Sequence, residues 1–337
     1  MAKTKKWYYE NGPEGDVVLS TRIRLARNLS NVPFPGNMSR EQRQTVVNTV
    51  REAMGQKGFS YLDMENVSAA DALSLVERHL ISPDFANSTE KRGLFLSDNE
   101  SVSIMVCEED HLRIQVMAAG LQTEEAYRLA DELDTALDCA LQFAFDERLG
   151  YLTQCPTNLG TGMRASLMLH LPALEETGAI QQLANSVSKL GLTIRGIYGE
   201  GTRPEGAIYQ MSNQITLGIS EQEAIENLKG IAAQILKEER AARKQLCENP
   251  RYADTVCRSL GVLRYATLLS HSELLSMLSY LRVGISGGVI TDISFDTLNK
   301  LMNDTQPATL MMMARREMTP EERDAARAEK TRELLAV

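Results

Sequence analysis

The feature that most constrains the fold is a series of alternating segments placed close enough in the chain to pair as hairpins. Residues 102–106 and 112–117 alternate on either side of the turn Glu108-Glu109-Asp110-His111, which reads as an antiparallel hairpin with acidic groups at its tip. Residues 192–198 and 207–217 read as a second hairpin around a Gly-rich loop. Side chains alternate across a strand, so in 17–24 Ser20, Arg22 and Arg24 share one face and Ile23 and Leu25 the other. In the same way Arg164, Ser166, Met168 and His170 oppose Leu167, Leu169 and Leu171. Helix-period stretches lie between these strands. Ser39-x-x-Gln42 opens one that runs to about residue 55, a second lies around 68–80, a third spans 123 to about 146, and a fourth covers about 175–190. Ser220-x-x-Glu223 opens a fifth, to about residue 248. Hairpin-linked strands with intervening helices imply an α+β fold, an antiparallel sheet flanked by helices rather than a doubly wound parallel sheet.

Composition shifts near Asn249-Pro250, and the remainder is mostly helical, with helix starts at Ser270-x-x-Glu273 and Thr319-Pro-Glu-Glu322. We therefore expect a leader over 1–16, a main domain over 17–248 and a helical C-terminal domain over 249–337. The polar start and the lack of long apolar runs point to a cytoplasmic chain without a membrane segment. A net charge of −9 argues against nucleic-acid binding driven by bulk positive charge. The five cysteines form no C-x-x-C pair and no zinc spacing, so free thiols and no metal site are expected.

Arginines on strand faces of an acidic chain invite a local explanation. Arg22, Arg24, Arg113, Arg164 and Arg195 each sit on or beside the polar face of a predicted strand, where guanidinium forks suit phosphate oxygens, although each alone reads as a solvated surface residue. There is no P-loop, no H-R-D or D-F-G set, and no strand-to-helix context for a dinucleotide fingerprint at Gly199 and Gly201. Glu108-Glu109-Asp110 is either a solvated loop or a source of a general base. Cys155, before Pro156 and a Gly-rich turn, is either a buried small hydrophobe or a thiolate beside cationic groups.

Taken together, Cys155-Pro-Thr-Asn-Leu-Gly-Thr-Gly-Met-Arg164, Ser20-Thr-Arg-Ile-Arg24 and Glu108-Glu-Asp-His-Leu-Arg113 resemble the catalytic domain of the phosphagen (ATP:guanidino) kinases over roughly 17–245. Within that family the chain is similar to the bacterial protein arginine kinases over nearly its whole length. The resemblance implies transfer of the ATP γ-phosphate to arginine side chains of proteins, with Mg²⁺ carried mainly by the nucleotide. It implies an ATP site made of Ser20, Thr21, Arg22, Ile23 and Arg24, of His79 and Arg113, of Arg164, Ala165, Ser166, Leu167 and Met168, and of Arg195, Gly196, Ile197, Tyr198, Gly199 and Glu200. Glu109 would be the catalytic base, Glu108 its partner near the guanidinium, Cys155 the thiolate that positions the reacting nitrogen, and Glu200 the group that holds the acceptor arginine.

Two departures from the metabolite kinases favour a protein substrate. The metabolite kinases carry a helical domain before the first arginine motif, whereas here a short leader precedes Ser20, so the loops that enclose a small guanidino substrate are expected to be missing, and an open acceptor site suits a side chain presented on a protein. The C-terminal Arg323-Asp-Ala-Ala-Arg-Ala328 resembles the motif with which protein arginine kinases form an allosteric phosphoarginine pocket, through Arg323, Asp324, Arg327 and Ala328. By itself that run reads as a salt-bridged exposed helix. The resemblance further implies a heat-shock repressor among the substrates, a zinc-binding activator protein, a Clp-type chaperone-protease that degrades marked clients, and a homodimer joined through the C-terminal domain. Two other functions fit less of the sequence: a kinase of free arginine or another small guanidino metabolite, and a non-catalytic phosphoarginine-binding adaptor.

Overall fold

The computed structural model of the chain describes residues 5–55, 58–196 and 204–336. Eight strands form one antiparallel sheet in the order β2-β3-β4-β5-β1-β8-β10-β9. They are β1 (Val18–Arg27), β2 (Phe59–Asp63), β3 (Gly93–Ser97), β4 (Val102–Val106), β5 (Leu112–Ala119), β8 (Met163–His170), β9 (Leu192–Gly196) and β10 (Ile208–Asn213). A separate two-stranded ribbon pairs β6 (Phe145–Asp146) with β7 (Gly150–Tyr151). All ladders of the sheet are antiparallel, as the hairpin spacing implies.

One sheet face carries the aliphatic positions. Ile23, Leu25, Ile114, Val116, Ala165 and Leu167 are buried there against helices α1 (Arg40–Met54), α4 (Thr123–Leu141) and α7 (Glu221–Glu248). Capping boxes at Ser39/Gln42 and Ser220/Glu223 fix the starts of α1 and α7 by satisfying backbone donors that a helix leaves free. Three boundaries differ from the sequence reading. Helix α4 ends at Leu141 instead of about 146 because Gln142 takes a left-handed backbone (φ 56°) and Asp138 Oδ1 accepts from Phe143 N–H at 2.7 Å. The helix expected over 175–190 is two, α5 (Pro172–Glu176) and α6 (Ile180–Ser188), parted near Gly178 at φ 70°. The strand expected over 207–217 stops at Asn213, whose side chain turns back to bond the main chain of Met163, Ala165 and Ile215.

On the other face lie α2 (Ala69–Glu77), α3 (Pro83–Asn87) and a helical C-terminal region: α8 (Pro250–Tyr265), α9 (His271–Ser286), α10 (Phe295–Asp304), α11 (Pro307–Ala314) and α12 (Pro320–Leu335). That region has its own apolar core around Val256, Leu263, Leu274, Leu278 and Leu298. It is joined to the sheet through buried polar contacts. His170 Nε2 lies 2.8 Å from Ser279 Oγ, Arg243 donates to His170 O at 2.7 Å, and Arg282 donates to Gly15 O and Asn299 Oδ1. The segment read as a leader is part of this joint: Tyr9 Oη donates to Asp304 and Asn299 Nδ2 donates to Glu10 O. Among the described residues no helix is long and apolar enough to cross a membrane.

Candidate active site

The polar face of the sheet gathers most of the sequence-predicted arginines. In the β1–β8 ladder Arg24 lies directly opposite Arg164 and Arg22 opposite Ser166, while β5 places Arg113 and Gln115 on the same side. Like charges facing each other across a ladder are destabilising, so this pairing is a structural expense that calls for an anion. Arg22 donates to Gln210 Oε1 at 2.7 Å and to Ser166 Oγ at 3.4 Å. Arg24 and Arg164 each have a buried Nε without a hydrogen-bond partner among the described residues. Burial, then the neighbouring Arg113 and Arg164, lower the Arg22 guanidinium to about 10. Burial and the surrounding arginines push Arg24 well down, and burial followed by Arg113 and Arg195 lowers Arg164. An anion set among these groups would relieve both the desolvation and the mutual repulsion.

His79 follows α2 in a left-handed backbone conformation (φ 60°), its carbonyl accepting from Gln115 Nε2 at 2.7 Å. Burial and the Arg22 charge lower its imidazole to about 4, so it is neutral at physiological pH. His79, Ser20, Arg22, Arg24, Arg113 and Met168 all line a cavity of about 730 Å³.

The hairpin tip places Glu109 beside Cys155, close enough for the thiol to favour the ionised carboxylate. Burial and the charges of Asp110 and Glu108 raise Glu109, against the opposing influence of Arg113 and of the thiol. Cys155 is half-buried, 3.1 Å from Thr157 Oγ1, in a loop fixed by Thr216 Oγ1 donating to Thr157 O and Leu159 O. At Glu108 Arg113 donates to the carboxylate, and Ser82 Oγ donates to its Oε1 at 2.6 Å. Asp110, the third carboxylate of the turn, is buried and structural, accepting from Asn28 Nδ2 at 2.6 Å and Gln154 N at 2.7 Å. The geometry therefore unites a cation cluster, a carboxylate of raised proton affinity and a thiol.

Some expected residues stand elsewhere. Thr21, Ile23, Ala165 and Leu167 turn to the opposite, buried face, because adjacent strand residues point to opposite sides; Thr21 Oγ1 donates to Gly120 O there. Gly196 ends β9, with Arg195 opposite Gln210 across the β9–β10 ladder; Ile197, Tyr198, Gly199 and Glu200 lie outside the described residues. Arg327 is buried, donating to Thr305 O at 3.0 Å, Leu269 O at 2.8 Å and Asp324 Oδ1 at 2.6 Å. Ala328 lies in the C-terminal core, and Arg323 and Asp324 stay half-buried at the surface. Sequence reasoning missed Gln210 and Ser82, which orient Arg22 and Glu108. Gln210 carries a signal, its alternation on β10; Ser82 carries only its helix-capping role at α3.

Residues 41–242 match the ATP:guanido phosphotransferase C-terminal catalytic domain, and residues 250–337 match the Protein-arginine kinase McsB C-terminal domain. The protein-arginine kinase of Halothermothrix orenii is 47% identical over 96% of this chain and 94% of its own length. That of Moorella thermoacetica is 45% identical over 100% of this chain and 99% of its own. Among solved structures, lombricine kinase superposes with a TM-score of 0.61 at 25% identity over 68% of either chain. The duplicated taurocyamine kinase from Schistosoma mansoni with bound transition state analog components gives 0.62 at 29% identity, covering 72% of this chain and 36% of that one. The chain belongs to the ATP:guanido phosphotransferase family, ATP-dependent enzymes with a sheet of this kind. Its activity within the family is that of a protein-arginine kinase.

Proposed function

We propose that the phosphates of ATP lie over the arginine face and that Glu109 and Cys155 act on the guanidinium of a protein arginine. The observation that carries this reading is Arg24 facing Arg164 with buried, unpartnered Nε atoms among the described residues. Ser20, Arg22, Arg113 and Arg195 extend the same cradle, and Gly196–Glu200 would complete it, with Glu200 on the acceptor arginine. In the reaction the bond between the γ-phosphorus and the β,γ-bridging oxygen breaks, a nitrogen–phosphorus bond forms, and ADP departs. A guanidinium with a pKa above about 12 is a poor nucleophile until a base takes its proton. Glu109 supplies that base, and its raised proton affinity suits the task. Cys155, beside Glu109, orients the reacting nitrogen, while Glu108 holds Arg113 against the phosphates. Transfer then depends on alignment and on stabilising charge at the equatorial oxygens. A cationic face repels a bare dication, so Mg²⁺ would arrive on the nucleotide and neutralise charge on the transferring group.

Family resemblance extends the proposal to physiology. Clients would include a heat-shock repressor, a zinc-binding protein would activate the kinase, and a cytoplasmic Clp-type chaperone-protease would degrade marked proteins. The division at about residue 250 would separate the catalytic domain from one that dimerises and binds phosphoarginine at Arg323, Asp324, Arg327 and Ala328. The deciding experiment incubates the protein with ATP–Mg²⁺ and an unfolded, arginine-containing protein, with activator, followed by mass spectrometry that spares acid-labile phosphoarginine. Phosphoarginine is expected with wild type and absent from folded Glu109→Gln and Cys155→Ala; wild-type transfer by either variant removes that residue from its role. Saturable ATP consumption with free arginine alone would transfer the reading to a small guanidino substrate, and binding without turnover to an adaptor.

A further inference from the structure

We propose that the C-terminal helical region is part of the nucleotide site: it walls the end of the cavity that takes the base, and its contact with Glu77 holds the His79 turn in place. The inference rests on the placement of the phosphates over the arginine face. With the γ-phosphate within reach of Glu109 and Cys155, neither of which lines the cavity, the uncharged part of the nucleotide extends the other way. The cavity continues from Arg22, Arg24 and Arg113 to walls made by Trp7 of the N-terminal segment and by Ile208, Leu275, Met302 and Pro307. These apolar and aromatic walls, with Glu77, Glu205 and His271 set among them, form a compartment joined to a cationic one, an arrangement that fits a ligand with a flat, hydrogen-bonding base at one end and phosphates at the other. Trp7, Leu275, Met302 and Pro307 fall outside residues 41–242, the stretch that matches the catalytic-domain family.

A second set of contacts ties this wall to His79. The Glu77 carboxylate, at the end of α2, accepts from Ala308 N at 2.6 Å and from Thr309 N and Oγ1 at 2.7 and 2.9 Å. These are amide donors that the first turn of α11 leaves free, and the helix dipole favours a carboxylate there. Ser74 Oγ, one turn earlier on α2, lies 3.2 Å from Thr309 Oγ1. Two residues beyond Glu77 the chain enters the left-handed turn that points His79 into the cavity. Moving α11 would therefore move the His79 turn. Glu77 is a positioning residue for the nucleotide.

The test uses the full chain and separates base from phosphates. Met302→Ala and Glu77→Gln are expected to raise KM for ATP about five- to tenfold while leaving KM for the protein substrate and inhibition by inorganic tripolyphosphate unchanged. Met302 is half-buried and packs against the C-terminal core, so the fold of its variant is checked by its unfolding midpoint, and Glu77→Gln tests the same wall without truncating the core. Trp7 is the only tryptophan, so ADP should alter the intrinsic emission of the wild type and tripolyphosphate alone should not. Unchanged KM for ATP in both variants, or the same emission change with both ligands, overturns the inference while leaving the phosphate site standing. Failure of tripolyphosphate to inhibit the wild type removes the phosphate placement itself, and this inference with it.

Discussion

Glu109 illustrates how three adjacent acidic residues acquire different tasks. Asp110 is buried and hydrogen-bonded, Glu108 is held by Arg113 and Ser82, and Glu109 is left against the Cys155 thiol with its proton affinity raised by burial and by the other two charges. A base acts only when ionised, so a raised pKa moves the acidic limb of activity upward: kcat/KM is fully present above that pKa and is lost as pH falls through it. We predict a limb above the ordinary glutamate value of 4.5 in the kcat/KM profile, which reports the free enzyme. A limb at or below 4.5 would assign the base to another group. The identity of these residues was legible in sequence, because strand alternation put Arg22, Arg24, Arg113 and Arg164 on polar faces. Their division of labour was not, since Ser82 reaches Glu108 from a different element.

Among elements, the loop between β7 and β8 depends most on one backbone position. Gly160 sits at φ 105°, and a Cβ there would come within 2.1 Å of Thr216 O, the carbonyl that receives the Thr161 N–H bond. Gly160→Ala should therefore destabilise the protein by more than about 1 kcal/mol and displace the Cys155 loop, lowering kcat more than KM for ATP. Paired denaturation and kinetic measurements check this; wild-type values would show that the loop tolerates the clash. Elements with local signals were read correctly in kind: capping boxes opened α1 and α7, and β4–β5 formed the predicted hairpin. Strand β2 was missed because it pairs with β3 across α2 and α3, without the short turn that betrays a hairpin; β3 was missed although the short turn 98–101 joins it to β4. The overlong α4 reflects apolar periodicity that persists past its true end, where Gln142 reverses the chain.

For the whole molecule, Arg327 decides how the C-terminal motif is to be understood. Its guanidinium ties α12 to the segments before α9 and α11, through Leu269 O and Thr305 O, and these segments lead into the cavity wall. Removing it leaves buried carbonyls and Asp324 without their donor. Arg327→Ala should cost about 3 kcal/mol in denaturant unfolding even without phosphoarginine. Unchanged stability would mean that the side chain is free to serve a ligand alone.

The sequence by itself determined the antiparallel α+β architecture, the cationic strand face and the guanidino-kinase motifs, because period-two alternation, hairpin spacing and helix caps are written within a few residues of one another. Only the tertiary structure decided that Glu109 meets Cys155, that Arg24 opposes Arg164, and that the N-terminal segment and C-terminal helices close over the same cavity. Those relations join residues tens to hundreds of positions apart, and they arise from packing both faces of one sheet rather than from any local preference of the chain.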